Sequence, residues 1–156
     1  MWRLAILLTL AGCGSAKARE LTVADACQLA NDGATVTVNA YLWTPVMIGE
    51  CQASCSVLLV PTPEYNSTTI TVTLPTGKGA LTMAPIAPGP NLSEVGAGAF
   101  QVTDSDNALR RIGDRVRATG TLAVKREKLQ SDPSMKPIEV TTCALAVTAL
   151  HAAPER

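Results

Sequence analysis

The sequence has few aromatic residues and no excess of either charge. Phe, Trp and Tyr make up 3% of its 156 residues, and 13 Lys and Arg balance 13 Asp and Glu, so the formal net charge at pH 7 is zero. Proteins that bind nucleic acid need clustered cations, and those that bind single strands also need aromatic rings on which bases stack. The composition therefore argues against nucleic acid as a partner.

Residues that commonly carry catalysis are also scarce. The one histidine, His151, lies four residues beyond the last predicted strand, in a C-terminal tail, whereas a catalytic histidine has to be held by a third group. The carboxylates are scattered, and Asp104-Ser105-Asp106-Asn107 lacks the later glutamate of an EF-hand calcium loop. We interpret that segment as a turn that starts a helix. We expect a protein that is not an enzyme and has no cofactor or bound metal.

No apolar run in the sequence is long enough to cross a bilayer, which takes about 20 residues. A short one stands near the start. Arg3 supplies a positive charge, residues 4–11 are apolar apart from Thr9, and small residues follow. A basic, an apolar and a small-residue region in this order are typical of an export signal.

The end of this segment, Leu10-Ala11-Gly12-Cys13, resembles the lipobox of bacterial lipoproteins. In that family the signal is cleaved before the cysteine, which is then acylated. The resemblance implies a signal peptide at residues 1–12, lipidation of Cys13 and residence in the bacterial envelope, because several acyl chains on one residue anchor a domain durably. Gly14 stands where an inner-membrane retention signal has aspartate, which favours the outer membrane, facing the periplasm. The alternative is a plain secretory signal with an accidental cysteine.

Four further cysteines, Cys27, Cys51, Cys55 and Cys143, follow the lipobox. An even number in an exported protein favours disulfides. Three pairings are possible, and we favour Cys51–Cys55, which closes a small loop, and Cys27–Cys143, which ties an N-terminal helix to a late strand.

The expected organisation is a polar tether at residues 13–20, one domain at residues 21–150 and a tail at residues 151–156. Thr22 and Asp25 form a capping-box pattern for one helix over residues 24–31. The residues expected to pack that helix inward are Ala26, Leu29 and Ala30.

Beyond Gly33 the sequence favours strands. Five segments alternate or are apolar throughout, as strands require: residues 35–43, 56–60, 68–74, 114–124 and 138–147. The connections expected between them are a long Pro/Gly-rich loop at residues 75–100, with a short strand near residues 80–83, a helical turn at residues 108–112 and a charged hairpin-like connection at residues 125–136.

Gly120 lies inside the fourth of these strands, where a glycine often marks a bulge or a bend. Residues 33–42 and 113–122 resemble the first and fourth strands of an OB-fold. The resemblance implies an all-β domain, a small five-stranded OB-like barrel with one short N-terminal helix and the long Pro/Gly-rich loop. The alternative, an immunoglobulin-like sandwich, would need about seven strands.

Tyr41 and Trp43 alternate on the polar side of the first strand. Together they are a candidate patch for a glycan or an envelope protein, because exposed aromatic residues often mark contacts. The alternative, which we favour, is that the loop at residues 75–100 covers both or that the barrel closes over them. From the lipobox and the scarcity of catalytic residues, we expect a lipid-anchored envelope protein with a non-enzymatic binding or assembly role.

A periplasmic ligand carrier is the alternative function. Cys51-x-x-x-Cys55 could hold a soft metal such as copper(I), with Trp43, Met47 and His151 nearby, because thiolates select that ion. The chain is similar in kind to small OB-barrel copper carriers of the periplasm. The other ligand class for such a carrier is an oligosaccharide, which would bind at the aromatic patch of Tyr41 and Trp43.

Overall fold

The computed structural model describes residues 17–44, 51, 53–64, 68–85, 100–130 and 134–154. These parts of the chain are mostly β-strands, with one α-helix, α1 (Val23–Ala26), and one short 3₁₀ turn, Leu29–Asn31. The strands are β1 (Arg19–Leu21), β2 (Thr35–Trp43), β3 (Ser54–Val60), β4 (Ile70–Pro75), β5 (Thr82–Met83), β6 (Gln101–Thr103), β7 (Leu109–Arg111), β8 (Arg115–Leu129) and β9 (Ile138–Ala152). The expected all-β class with one short helix is confirmed.

The strands form two sheets rather than a single one. The larger is a six-stranded mixed sheet in the order β1-β2-β3-β4-β9-β8, and the smaller has the order β5-β6-β7. β2 pairs with β8 as well as with β3, so the pairings of the larger sheet return to β2. β1 runs parallel to β2, β4 runs parallel to β9 through Thr71 and Ala144, and the other neighbours are antiparallel. Of the smaller sheet, the sequence predicts only a short strand near residues 80–83, where β5 lies, and not β6, β7 or their pairing.

The core lies against the alternating faces of β2, β3, β4 and β8. Burial follows the predicted period of two: Val36, Val38, Ala40 and Leu42 of β2 are fully buried, and the same holds for Ile70, Val72 and Leu74 of β4. Removing this apolar area from water stabilises the fold by about 25 cal/mol per Å². The smaller sheet joins the same core through Met83 of β5 and Val102 of β6. Phe100, which directly precedes β6, packs there as well.

The helix is shorter than predicted. Thr22 caps it as expected, since its hydroxyl accepts a hydrogen bond from Asp25 N at 3.1 Å, but α1 ends at Ala26. There Cys27 is bonded to Cys143, and the Asn31 side chain donates to the Asp25 carbonyl at 2.6 Å. The predicted helix over residues 24–31 and the inward packing of Leu29 and Ala30 are wrong, because the 3₁₀ turn directs both residues outward, whereas Ala26 is buried.

The predicted helical turn at residues 108–112 is wrong, because Leu109–Arg111 form strand β7. Asp104 Oδ1 accepts hydrogen bonds from Asp106 N at 2.8 Å and from Ala108 N at 2.9 Å, and Asp104 N donates to the Ala108 carbonyl. Asn107 adopts a left-handed conformation with φ 60°. These bonds close a hairpin between β6 and β7 and leave no free amides for a helix start.

β8 and β9 are longer than predicted, each having 15 residues. The segment expected as a connection at residues 125–136 is strand up to Leu129. The register between the two strands shifts between Thr119 and Gly120, which confirms the irregularity predicted at that glycine. β9 extends to Ala152, so His151 lies in a strand and not in a tail.

Regular structure also begins earlier than expected. β1 pairs Arg19, Glu20 and Leu21 with Val36, Thr37 and Val38 of β2. The last residues of the predicted tether at residues 13–20 therefore belong to the folded domain. Cys13 lies outside the described residues.

Candidate functional site

A groove of about 1100 Å³ opens on the outer side of β2. Its walls come from β1 and the start of α1, from the turn between β7 and β8, and from the residues that follow β9. The residues lining it are Glu20, Leu21, Thr22, Val23, Asp25, Asn39, Tyr41, Pro61, Arg110, Asp114, Arg115, Ala153 and Pro154. We call this the β2 groove.

Tyr41 is the aromatic residue of the β2 groove. It points to the outer face because its neighbours Ala40 and Leu42 are buried in the core, and it is half-buried. Its cross-strand partner on β8 is Arg115, whose guanidinium donates to the Pro154 carbonyl at 3.2 Å. The ring therefore lies beside a cation whose position is fixed by the end of β9.

Asn39 and Glu20 form the polar part of the groove next to Tyr41. The Asn39 amide nitrogen donates to a Glu20 carboxylate oxygen, and Arg117 lies 3.8 Å from the other oxygen of the same carboxylate. Asn39 Oδ1 is buried and has no hydrogen-bond partner among the described residues. β1 places Glu20 here.

Arg110 lies on β7 and lines the groove, and its guanidinium is bonded to the carboxylate of Asp104. The Asp104 carboxylate is fully buried, and its Oδ2 accepts from Arg110 Nε at 2.7 Å and from Nη2 at 2.6 Å. Burial raises the pKa of Asp104, but hydrogen bonds from Ala108 N, the Arg110 side chain and Asp106 N outweigh it, so this pKa lies below its ordinary value. Asp104 is therefore an anion that fixes the Arg110 guanidinium.

Asp114 closes the turn at the rim of the groove. Its Oδ2 accepts a hydrogen bond from Arg111 N at 2.7 Å, and Gly113 before it has a φ of 89°, which favours glycine. Gly113 N and the Asp114 carbonyl also bond to the backbone of Leu42. The turn is thus fixed to the end of β2 beside Tyr41.

The structure separates the two members of the predicted aromatic patch. Tyr41 lines the β2 groove, whereas Trp43, two residues further on the same face, is half-buried outside the lining and pairs with Leu58 of β3. The sequence does not predict Glu20, Arg110 or Asp114 as neighbours of Tyr41. No local signal places them there, because β1, β7 and the turn after β7 bring them in from distant parts of the chain.

The cysteines are joined in the two pairs that the sequence favours. Cys27 is bonded to Cys143, with Cα atoms 5.4 Å apart, and Cys51 to Cys55, with Cα atoms 4.9 Å apart. A sulfur in a disulfide is not a thiolate, so this arrangement offers copper(I) no cysteine ligand. Within the described ranges, no group of three or more His, Cys, Asp and Glu side chains could hold a metal ion.

His151 has a partner that the sequence does not predict. Its Nδ1 lies 2.8 Å from Asp106 Oδ2, and the side chains are 45% and 65% exposed. The contact joins β9 to the turn between β6 and β7. A second, smaller cavity of about 390 Å³ lies over the Cys27–Cys143 bond and is lined largely by threonines.

In the described part of the chain, no helix has the length and apolarity that crossing a membrane requires. No family model matches the sequence, and no curated protein matches it either. Among solved structures it is similar to one named as an aspartyl-tRNA synthetase from Leishmania major Friedlin, with a TM-score of 0.45 and 12% identity. That likeness covers 94% of this chain and 22% of the other, so the chain spans about a fifth of that protein's length. A likeness at this level supports no conclusion about function.

Proposed function

We propose that strands β2, β3, β4, β8 and β9 form a small OB-like barrel. Three observations support this. The pairings run from β2 through β3, β4, β9 and β8 back to β2, β4 and β9 are parallel, and the register shift at Gly120 supplies the bend that closure needs. The smaller sheet then lies in the connection between the third and fourth barrel strands.

The protein is proposed to be held in the bacterial envelope by a lipid on Cys13, on the periplasmic side of the outer membrane. The support is the lipobox-like Leu10-Ala11-Gly12-Cys13. The paired cysteines are consistent with an oxidising compartment, because disulfides persist outside the cytosol.

The activity proposed for the domain is non-enzymatic binding of a neutral, hydroxyl-rich ligand, an oligosaccharide, in the β2 groove. The observation that carries this proposal is the position of the Tyr41 ring. It shares the groove with both negatively and positively charged side chains that can form hydrogen bonds. An aromatic face can cover the apolar face of a sugar, while carboxylates and guanidinium groups bind its hydroxyls. Charged groups here have partners of their own, as in Glu20 with Arg117 and Arg110 with Asp104, which favours a ligand without net charge.

The oligosaccharide is preferred over the soft-metal alternative because of the disulfides. A copper(I) site at Cys51 and Cys55 needs free thiolates, and the bond between the two sulfurs removes both.

The test is a titration of the protein with the trimer of N-acetylglucosamine, followed by NMR. We expect saturable shifts that include the backbone amides around Tyr41, and we expect Tyr41→Ala to remove them. Trp43→Ala is the matched control, because Trp43 is an aromatic residue on the same face of β2 outside the groove, and it should bind as the wild type does. Equal binding by wild type and Tyr41→Ala would contradict the assignment of the site.

A further inference from the structure

The outer half of the β8–β9 hairpin stands clear of the core. Burial alternates along β8 as far as Val124, and its partner Cys143 on β9 is also buried. Beyond that pair the alternation ends: residues 125–129 are all exposed, and residues 138–142 are exposed apart from the half-buried Val140. Neither face of this part of the ribbon packs on the domain.

The end of this ribbon carries an exposed apolar cluster. Leu129, Met135 and Ile138 are 53%, 58% and 62% exposed, and Leu129 pairs with Ile138 across the hairpin. Only two other large apolar side chains among the described residues are comparably exposed. We call Leu129, Met135 and Ile138 the hairpin tip. Apolar clusters that a fold leaves in water commonly mark a contact surface.

Long cationic side chains flank the hairpin tip. They are Lys125, Arg126, Lys128 and Lys136, all exposed. Arg126 and Lys128 share one carboxylate, Glu139, at 3.9 Å each. Glu127 is the other carboxylate among the described residues of this ribbon, so the four cations outnumber the two carboxylates there. Apolar residues with ammonium and guanidinium groups around them fit the interface of a phospholipid bilayer, where the apolar groups enter and the cations meet phosphates.

The N-terminal segment leaves the sheet toward the same end as the hairpin tip. Arg19 pairs with Val36, and Val36 pairs with Gly120 on β8, which runs antiparallel to β2. Since β1 is parallel to β2, β1 is antiparallel to β8. Followed from Leu21 back to Arg19, β1 therefore runs in the same direction as β8 from Gly120 to Leu129. The six residues from Cys13 to Arg19 span at most about 20 Å, and the nine residues from Gly120 to Leu129 extend by about 30 Å. The hairpin tip therefore reaches at least as far as the anchor.

We propose that the hairpin tip contacts the phospholipid surface in which Cys13 is anchored and so sets the orientation of the domain. This inference depends on the proposed lipid anchor. The rim of the β2 groove, with Asp114 and Pro154, lies toward the other end of β2 and of β9. The lipid anchor and the hairpin tip would both contact the bilayer at the opposite end of the domain. The β2 groove is then held away from the bilayer and stays open to ligands.

The experiment places a fluorescent reporter at the tip of the full-length acylated protein in vesicles of phosphatidylethanolamine with a minority of phosphatidylglycerol. Trp43→Phe removes the tryptophan of the described domain, and Ile138→Trp then reports on the tip. Leu109→Trp in the same background is the matched control, because Leu109 is 61% exposed and lies on β7, beside the ends of β2 and β9 that face away from the tip. Brominated acyl chains quench an indole that enters the bilayer, and the mass of the protein reports acylation.

We expect the emission of the Ile138→Trp variant to shift to the blue and to lose intensity with brominated lipids, and the emission of the Leu109→Trp variant to do neither. An acylated protein in which both variants behave alike would overturn the contact at the tip while leaving the anchor intact. A protein without acyl chains would instead overturn the anchor. A blue shift that needs no vesicles and grows with protein concentration would assign the tip to a second copy of the chain and would also overturn the proposal.

Discussion

Gly120 has no room for a side chain. A Cβ atom built there would lie 2.2 Å from the Ala146 carbonyl oxygen and 2.9 Å from Val147 Cα. Both are backbone atoms of β9, so a rotamer change cannot relieve the overlap, and the two strands would have to separate where their register shifts.

Gly120→Ala is expected to destabilise the protein by about 3 kcal/mol, the upper end of the cost of overpacking. Chemical denaturation of the mature protein measures this. Thr121→Ala, at the exposed neighbouring position on β8, is the control and should stay within about 0.5 kcal/mol of wild type. An unchanged midpoint for Gly120→Ala would contradict the close approach of β8 to β9.

Asp104→Asn should weaken the fold in a pH-dependent way. The substitution turns an amide donor toward the Arg110 guanidinium, and losing a hydrogen bond to a charged group costs about 1.5–3 kcal/mol at neutral pH. Because the pKa of Asp104 is lowered in the folded state, its contribution is complete above the pKa of the unfolded chain and is lost as the pH falls through the folded value.

Unfolding free energies measured from pH 7 into the acid range test this. The difference between wild type and Asp104→Asn should shrink as the pH falls. Glu127→Gln, at an exposed carboxylate on β8, is the control and should stay within about 0.5 kcal/mol of wild type. A constant difference at every pH would mean that the charge of Asp104 contributes nothing.

Among the elements, those whose signals are local could be predicted from the sequence. β2 and β4 alternate between apolar and polar residues and are bounded by glycine or proline, so their buried faces follow from neighbouring residues alone. The early end of α1 could not be predicted. The sequence favours the Cys27–Cys143 bond, but it carries no signal for the hydrogen bond from the Asn31 side chain to the Asp25 carbonyl, which occupies the end of the helix.

The hairpin between β6 and β7 and the full length of β8 and β9 could not be predicted, for two further physical reasons. Asp104 precedes a polar turn, a pattern that suits a helix cap as well as the hairpin it closes. The ribbon beyond Val124 is exposed on both faces, so its sequence carries no period and resembles a loop. In the β2 groove, Tyr41 could be predicted from its strand, whereas Glu20 and Arg110 arrive through these unpredicted elements.

The two disulfides act on very different lengths of chain, and their removal should differ accordingly. Cross-linking restricts the unfolded chain more when the closed loop is longer, so replacing Cys27 and Cys143 with alanine should cost about 4–5 kcal/mol, and replacing Cys51 and Cys55 about 2 kcal/mol. Guanidinium unfolding of both double variants measures the two costs. Equal losses, or a larger loss for Cys51 and Cys55, would contradict the long-range role of the Cys27–Cys143 bond.

At the scale of the whole molecule, the protein is a disulfide-bonded β domain whose β2 groove lies toward the end opposite the hairpin tip. The lipid tether is a proposal about its location, and the proposed orientation of the hairpin tip depends on that tether. The groove and the disulfides are properties of the domain itself and can be tested without the tether.

The most direct measurement is the mass of the N-terminal peptide of the native protein. We expect this peptide to begin at Cys13, with a lipid on its sulfur and an acyl chain on its amino group, and we expect Cys13→Ala to release the protein from the membrane fraction. A bare sulfur at Cys13, or residues 1–12 still attached, would contradict the proposed lipid anchor.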